Sequence, residues 1–477
     1  MKKVVIVGGG IAGLATAHYL HENSSVDFTL IESSPRLGGK ITSAQRNGFL
    51  VEGGPDSFLT QKTVTLDICS KLGLGNQLVG SNSGKSATTY VWSGGRLHPM
   101  PEGMMLMAPT MVLPFLQSQL ISWRGKLRMG MEAFVPKRPG DQDESLAGFV
   151  RRRLGTEALN KIAGPLMGGI HAADPERLSL KSTFPMFLDM EKKHGSLLRG
   201  MMKRPKRAAH SAKSTPMFMS LWGGLQQLAD AIVAELPENA LRVGCGVLTV
   251  SSLDGRYKVV LSNGTSILAD DVVFATPSYV TADLVQQVDP MLASRLREIR
   301  YVSTATVSLG FKRSDISHPM KGAGFIVPKS EGRRITACSW SSEKFNNRAP
   351  GDCVLLRVFI GGSLAEDLAE QDEAALVELA REELRVIMGI TATPVLIGAY
   401  RWHKANPQYD LGHGKRVADI EHAVTHFPGL HLAGAAYHGA GIPDCILSGM
   451  TAARSILTER SHCDAHRDEL VPLSIGS

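Results

Sequence analysis

Cysteine is scarce in this chain, with 6 cysteines among 477 residues, and no two of them form a CxxC pair. A zinc site and a redox dithiol are therefore not expected, and the histidines show no metal-ligand spacing either. So few cysteines also exclude a disulfide scaffold, and free thiols fit a reducing compartment. We expect a cytoplasmic protein without a metal site.

Long apolar runs are missing as well. No stretch reaches the ~18 uninterrupted apolar residues of a membrane-spanning helix, and the nearest, residues 104–121, contains Pro109 and Pro114. The apolar start at residues 4–7 is shorter than the ~7 to 15 residues of a secretory signal core.

With 43% hydrophobic and 20% charged residues the composition is that of a folded protein, and the length predicts about two or three domains.

Acidic residues are absent from residues 192–213, which carry eight lysines and arginines although the net charge of the whole chain is only +7. This basic segment is interpreted either as a solvated loop or as an attraction for an anionic substrate or membrane surface. No aromatic residues are interleaved with the charges, so nucleic acid is not an expected partner. The sequence leaves the oligomeric state open.

Glycines with dinucleotide spacing follow directly on the first apolar run. Residues 4–7 predict a strand, Gly8, Gly10 and Gly13 have the GxGxxG spacing, and residues 14–21 predict a helix. A second strand at residues 28–31 ends in Glu32, an acid placed to bind a ribose. The phosphates would lie at the helix N-terminus. The same spacing occurs in plain glycine turns, but the strand, helix and acid favour a nucleotide, and the carboxylate disfavours NADP.

A second glycine pair follows this unit. Residues 32–40 read ESSPRLGGK, which resembles the extended fingerprint of the amine-oxidase-like flavoprotein superfamily and implies FAD. Strands are predicted at residues 240–250, 257–261 and 270–274, with a hairpin turn at Asp254-Gly255. A strand at residues 430–434, the sequence GAGIPD at 439–444 and a helix at 446–457 resemble the superfamily's flavin-holding C-terminal segment.

These segments predict an α/β fold with an interrupted Rossmann-like FAD-binding domain, a mixed α+β substrate domain and a helical insertion. The FAD domain would comprise residues 1–80, 214–290 and 395–462, and the substrate domain residues 164–213 and 291–394. Residues 82–163 would form the insertion, and residues 463–477 a tail. Seven methionines in the insertion serve either as adaptable core filler or at a membrane surface.

Five further segments resemble the FAD-dependent porphyrinogen oxidases of the heme pathway. They are GGPDSF at 53–58, LHPMP at 97–101, GGIHAAD at 168–174, STFP at 182–185 and GIPDCI at 441–446. The chain is most similar to the Gram-positive coproporphyrinogen III oxidase type, and these matches span nearly its whole length. The resemblance implies oxygen-dependent oxidation of coproporphyrinogen III with non-covalent FAD, hydrogen peroxide as co-product and peripheral membrane contact.

Three alternatives remain beside this function. Protoporphyrinogen IX would undergo the same chemistry, but no arginine lies in residues 86–89, where other members of the family carry a propionate-binding one. Dispersed cations such as Lys62 and Arg96 would suit the four carboxylates of coproporphyrinogen. Another flavin oxidase or desaturase would leave the 97–101 and 168–174 segments unexplained, and a binding protein without flavin would not need intact glycine loops.

The resemblance also implies individual site residues. The cofactor contacts would be Gly8, Gly9, Gly10, Ile11, Ala12, Gly13, Glu32, Ser33, Lys40, Gly54, Pro55, Asp56, Ser57, Val247, Trp402, Gly441, Ile442 and Pro443. The substrate contacts would be Lys62, Gly169, Ile170 and Phe359. Core packing is the alternative for Phe359 and Trp402, and surface solvation is the alternative for the lysines. No catalytic base is assigned, because the histidines, His171 among them, are interpreted as structural.

Overall fold

The computed structural model describes residues 2–82, 88–203 and 216–468. The described residues exclude four of the eight basic side chains of the 192–213 segment, Arg204 and Lys213 among them. They also exclude Ser86 and Ala87 of the arginine-free stretch. In chain order the strands are β1 (Lys3–Val7), β2 (Asp27–Glu32), β3 (Ser43–Arg46), β4 (Phe49–Glu52), β5 (Phe58–Leu59), β6 (Leu78–Gly80), β7 (Thr89–Ser93), β8 (Arg96–Pro99), β9 (Met104–Met105), β10 (Ala108–Pro109), β11 (Phe218–Leu221), β12 (Leu241–Val243), β13 (Val247–Leu253), β14 (Arg256–Leu261), β15 (Ser266–Ala269), β16 (Asp271–Phe274), β17 (Tyr301–Lys312), β18 (Gly324–Ile326), β19 (Ala337–Trp340), β20 (Cys353–Gly361), β21 (Leu396–Pro407) and β22 (Leu430–Leu432).

The helices, in the same order, are α1 (Ile11–Asn23), α2 (Val64–Lys71), α3 (Val112–Gln117), α4 (Trp123–Gly130), α5 (Leu146–Arg153), α6 (Thr156–Ala158), α7 (Gly169–His171), α8 (Leu180–Thr183), α9 (Pro185–His194), α10 (Leu197–Lys203), α11 (Gln226–Ala234), α12 (Ser278–Leu284), α13 (Pro290–Arg297), α14 (Ser341–Lys344), α15 (Glu366–Ala369), α16 (Glu373–Met388), α17 (His413–Val424) and α18 (Ile442–Asp468).

The nucleotide-binding part is built on a parallel sheet of five strands in the order β12-β2-β1-β16-β22. The central strand β1 is apolar because both of its faces are covered, which is typical of parallel sheets. Helix α1 is apolar on nearly all sides since it lies between this sheet and α18. The strands come from three separate stretches of the chain, which supports an interrupted domain, although the exact domain boundaries stay a prediction.

Residues 240–250 do not form the single strand that the sequence predicted. They form β12 and β13, which belong to different sheets. The N–H groups of Gly244 and Cys245 between the two strands donate to the carbonyls of Ser34 and Glu32, 3.0 and 3.1 Å away. These bonds bend the chain over the end of β2, a long-range effect that the local pattern could not reveal. The turn at Asp254-Gly255 does join β13 to β14.

The second large sheet is mixed, with the order β21-β17-β20-β19-β18-β7-β8. One face packs on α16 and forms a separate apolar core. Because side chains alternate along a strand, the opposite face of β17, β20 and β21 carries a different set. That set, read from the strand register, is Thr304, Thr306, Ser308, Arg357, Phe359, Tyr400 and Trp402. We call the space between this face and the glycine loops the cleft.

The pairing of this sheet departs from the predicted division of the chain. Strands β7 and β8 lie in the stretch predicted as a helical insertion, and β21 lies in the stretch predicted for the FAD domain. The remainder of the insertion is largely helical, and it shares an apolar core with residues 167–201 that buries Met107 and Met129. No helix within the described ranges is long and apolar enough to cross a membrane.

Candidate functional site

The first glycine loop brings the start of α1 against β1. A Cβ atom on Gly13 would lie 1.9 Å from the Gly8 carbonyl oxygen, so only glycine permits this approach. The first helical hydrogen bond runs from the Leu14 N–H to the Gly10 carbonyl. Within the described residues, the N–H groups of Ile11, Ala12 and Gly13 therefore have no acceptor. Free N–H groups at a helix N-terminus are the kind of donor array that can bind phosphate, so the predicted phosphate site has suitable donors.

The second glycine pair and Glu32 close the same loop from the other side. A Cβ atom on Gly39 would lie 2.9 Å from the Cα atom of Gly10, whereas one on Gly10 would meet nothing within 4 Å. The Glu32 carboxylate accepts from the N–H groups of Gly9, at 2.7 Å, and Ser34, at 2.8 Å. Open space therefore remains above Gly10, next to a carboxylate at the end of β2.

The C-terminal segment meets this loop through helix packing. Helix α18 begins at Ile442, four residues earlier than predicted, and Pro443 fits its first turn because proline lacks only an N–H that would be unpaired there. The Cys445 N–H donates to the Gly441 carbonyl at 2.9 Å. Thr16 on α1 donates to the Gly449 carbonyl at 3.1 Å. The two ends of the chain thus converge, as the sequence predicted.

The loop at residues 53–57 is held by the second sheet. The Gly53 carbonyl accepts from Trp402 Nε1 at 2.9 Å. The Asp56 carboxylate accepts from Lys344 Nζ, 2.9 and 3.0 Å away, and from the Ser57 hydroxyl. Although burial raises the pKa of Asp56, the positive charges of Lys344 and Arg357 hold it well below its usual range. The carboxylate is thus fully engaged, which leaves the backbone of residues 54–57 for a cofactor.

Three further predicted cofactor residues complete this side of the cleft. The Lys40 side chain is exposed, and its Nζ donates to the Ala405 carbonyl at 2.6 Å. Desolvation by the surrounding protein lowers its pKa. Ser33 is exposed beside Glu32, and Val247 begins β13 just after the chain crosses the end of β2. These positions, the free N–H groups and the open space above Gly10 fit a dinucleotide cofactor.

The predicted substrate residues lie around the start of α18. Lys62 forms an ion pair with Asp444 in the first turn of that helix. Ile170 is 60% exposed, and a Cβ atom on Gly169 would meet nothing within 4 Å. His171 follows on the same short helix, where burial lowers its pKa to about 4 against the opposing charge of Asp444, so the imidazole is neutral at pH 7. Phe359, on β20, is only half-buried.

Sequence reasoning missed three residues of this site, namely Asp444, Lys344 and Arg357. Two of them had a signal in the sequence. Asp444 is part of the GIPD segment, and Arg357 interrupts an otherwise apolar run at residues 354–360. A charged residue in such a run indicates a buried polar contact. Lys344 had no local signal. No cluster of three or more metal-ligating side chains occurs in the parts of the chain that the structure describes.

Comparison with known proteins agrees with this geometry. The profile of the flavin-containing amine oxidoreductase family matches residues 11–457. A coproporphyrinogen III oxidase of Bacillus subtilis is 36% identical over 96% of this chain and 98% of its own length. One of Staphylococcus aureus is 32% identical over 96% and 99%. A crystal structure from Exiguobacterium, described as a protoporphyrinogen oxidase, superposes with a TM-score of 0.86 at 33% identity, covering 96% of this chain and 99% of that one.

The parallel sheet, the paired glycine loops and the facing mixed sheet define a flavoprotein oxidoreductase. The chain belongs to the flavin-containing amine oxidoreductase family. Its cofactor is FAD, and the predicted fold class is confirmed.

Proposed function

We propose that this protein oxidises coproporphyrinogen III to coproporphyrin III in heme biosynthesis, with dioxygen as electron acceptor and hydrogen peroxide as co-product. The observation that carries the proposal is 36% identity to a coproporphyrinogen III oxidase over 96% of the chain. Six hydrogens leave the macrocycle, and three molecules of dioxygen become three of hydrogen peroxide. Oxidation of protoporphyrinogen IX is the second candidate, favoured by the likeness to the Exiguobacterium structure.

The arrangement of the cleft suits a porphyrinogen, which is a large apolar disc with carboxylates on its rim. FAD, when bound, accepts a hydride and passes the electron pair to dioxygen. The protein binds and orients the macrocycle and keeps water from the reacting carbon. Ile170 and Phe359 offer apolar surface, Lys62 offers a cation, and Gly169 leaves its backbone open to the ring.

The preference between the two porphyrinogens tests the function directly. Coproporphyrinogen III carries four propionates and protoporphyrinogen IX two, so dispersed cations should favour the former. We expect a higher kcat/KM for coproporphyrinogen III in dilute buffer, and an advantage that shrinks as salt screens the cations over ~10 Å at 0.1 M. Steady-state assays of both substrates across a salt series measure this, with sucrose at matched osmolality as control. Equal or better turnover of protoporphyrinogen IX in dilute buffer would promote the second candidate.

Lys62 should bind a propionate and contribute little to the chemical step. A rim cation meets the same carboxylate in the ground and transition states, so its loss appears in KM. The Lys62→Met change is expected to raise KM about tenfold with kcat nearly unchanged, since one charge-assisted hydrogen bond contributes ~1.5 kcal/mol. Asp444 would compete with the propionate for the Lys62 ammonium, because Lys62 and Asp444 form an ion pair in the structure. A large fall in kcat at constant KM would reject the assignment.

The bound FAD is proposed to be non-covalent. Cys445 is the described cysteine at the start of α18, next to the predicted flavin segment, and its side chain is buried. Burial raises the pKa of this thiol to about 11 against the opposing charge of Lys40. The thiol is therefore protonated at neutral pH, and a protonated thiol is a poor nucleophile for a covalent link.

We also propose reversible contact with a membrane surface through an exposed apolar patch, defined as Val112, Leu113, Trp123, Leu127 and Phe134 on and around α3 and α4. Their side chains are 65 to 82% exposed. Two exposed cations adjoin the patch in sequence, Arg124 beside Trp123 and Lys137 after Phe134. An exposed apolar patch with cations beside it suits an anionic lipid surface.

Vesicle binding tests this contact. Replacing Trp123 and Phe134 by serine should weaken co-sedimentation with vesicles containing 30% phosphatidylglycerol at least about fivefold, because each removes a large apolar group from the interface. Met291→Ser is the matched control, since Met291 is 67% exposed on α13 and outside the patch. Equal binding of the patch variant and the wild type would refute the proposal.

A further inference from the structure

Arg357 is a buried cation without a direct counter-ion in the described parts of the chain. Its side chain is 4% exposed, and the two nearby carboxylates are engaged elsewhere. Asp56 is bound by Lys344, and Glu52 accepts from the Ser43 hydroxyl and, at 3.0 Å, from the Leu225 N–H. A charge buried in this way is costly. Desolvation lowers its pKa, which the more distant Asp56 and Glu52 oppose.

The guanidinium is directed at the backbone of the 53–57 loop. Its Nη2 atom donates to the Gly53 carbonyl at 3.2 Å and to the Gly54 carbonyl. The Gly53 carbonyl also accepts from Thr306 Oγ1 at 3.1 Å and from Trp402 Nε1 at 2.9 Å. These donors stand on the adjacent strands β20, β17 and β21, so three strands of the second sheet converge on one carbonyl.

This clamp determines which way the neighbouring amide points. The peptide bond is trans, so the Gly54 N–H is directed opposite to the clamped Gly53 carbonyl. Within the described residues this N–H has no acceptor, and neither do those of Asp56 and Ser57. Gly54 packs against the backbone of Lys40, since a Cβ atom there would lie 1.7 Å from the Lys40 carbonyl oxygen. The free N–H groups therefore belong to the cofactor side of the loop.

We propose that Arg357 is a positioning residue for the flavin. It fixes the Gly53-Gly54 peptide so that the Gly54 N–H stays free on the proposed cofactor side of the loop, and it places a permanent positive charge behind that peptide. Both effects favour the reduced and more negative cofactor over the oxidised one. The same guanidinium lies 4.9 Å from the centre of the Phe359 ring. The clamp is therefore next to a proposed substrate contact. The inference rests on the FAD of the proposed function and not on its porphyrinogen.

The test uses the flavin-loaded protein and two measurements that need no substrate. These are the FAD dissociation constant and the midpoint potential, read against a reference dye. Arg357→Met should lower the potential by about 30 mV, equal to a tenfold weaker preference for the reduced cofactor. Arg357→Lys keeps the charge but loses the guanidinium Nη2 that donates to both carbonyls, so it should lower the potential less than Arg357→Met does and bind FAD several times more weakly.

Arg348→Met is the matched control. Arg348 is 2% exposed and lines a small cavity together with Arg357. It donates to the Ser220 hydroxyl and the Leu221 carbonyl instead of the 53–57 loop. Its replacement should leave both measurements unchanged. An unaltered potential in Arg357→Met, or an equal shift in the control, would overturn the proposal.

Two milder variants keep the test decisive if Arg357→Met does not fold. Thr306→Val removes one donor to the Gly53 carbonyl, and Arg357→Lys removes the guanidinium, so both should weaken FAD binding. Wild-type affinity in both would also overturn the proposal. A protein that shows the shifts but does not oxidise porphyrinogens would reject the proposed substrate and leave this inference standing.

Discussion

Replacing Gly449 by alanine should destabilise the protein by ~3 kcal/mol or more, because the substitution forces two helices apart. The added Cβ atom would lie 2.1 Å from the Ala12 carbonyl oxygen, where real Cβ atoms are not found. This oxygen belongs to the backbone of α1 and cannot swing aside as a side chain could. The hydrogen bond from Thr16 Oγ1 to the Gly449 carbonyl would be lost with the contact.

The consequence is expected to extend to the cofactor, because α1 carries the predicted phosphate-binding N-terminus and α18 carries the predicted flavin segment. Denaturant unfolding and the FAD content of the purified protein measure the two effects. Gly130→Ala is the matched control, since Gly130 is also helical but a Cβ atom there meets nothing within 4 Å. That variant should be neutral or slightly more stable, because alanine is the better helix former. Equal stability of the two variants would show that α1 and α18 do not pack as closely as the structure indicates.

The nucleotide-binding start of the fold was predictable because its signals are local. Alternation of an apolar strand, a glycine turn and a helix occupies some thirty consecutive residues. Gly8, Gly9 and Gly13 have a steric reason visible in the structure, whereas the space above Gly10 is open. The end of β2 at Glu32 follows from the same pattern. The C-terminal helix was also predictable, although it starts at Ile442 and not at the predicted residue 446. The difference arises because Pro443, which usually precedes or begins a helix, lies in the first turn.

The features that depend on distant pairing were not predictable from local patterns. The division of residues 240–250 between two sheets results from hydrogen bonds to the end of β2, more than two hundred residues away in sequence. The clamp on the Gly53 carbonyl needs the register of β17, β20 and β21 together, and a one-residue shift would turn Arg357 to the opposite face. A sequence shows that an arginine interrupts an apolar strand, but not which carbonyl it reaches.

The predicted site residues differ in how far the structure specifies their roles. The glycines and Glu32 lie together around the open space above Gly10, and their contacts to the cofactor stay a prediction. Asp56 has a carboxylate committed to Lys344, so its predicted cofactor contact is left to its N–H group. Lys62 is paired with Asp444 in the structure, which adds a competitor that the sequence did not suggest. Such ion pairs form between segments that lie far apart in the sequence, so the spacing of neighbouring residues does not reveal them.

Glu32→Ala should weaken FAD binding by about 10- to 100-fold, which corresponds to the ~1.5 to 3 kcal/mol of a charge-assisted hydrogen bond. The carboxylate lies at the end of β2, where this fold binds a ribose hydroxyl. It also accepts from the N–H groups of Gly9 and Ser34, so its removal loosens the loop that approaches the phosphates. Equilibrium titration of the flavin-free protein with FAD measures the change.

Competition with ADP separates the ribose contact from a general loss of structure. ADP carries the ribose that Glu32 is predicted to bind, so Glu32→Ala should weaken ADP and FAD by similar factors. A matched control is Glu235→Ala, because that exposed carboxylate makes no hydrogen bond or ion pair within the described residues. The control should bind both nucleotides as the wild type does. FAD binding that is unchanged in Glu32→Ala would remove Glu32 from the ribose site, and a loss confined to FAD would move its contact away from the adenosine half of the cofactor.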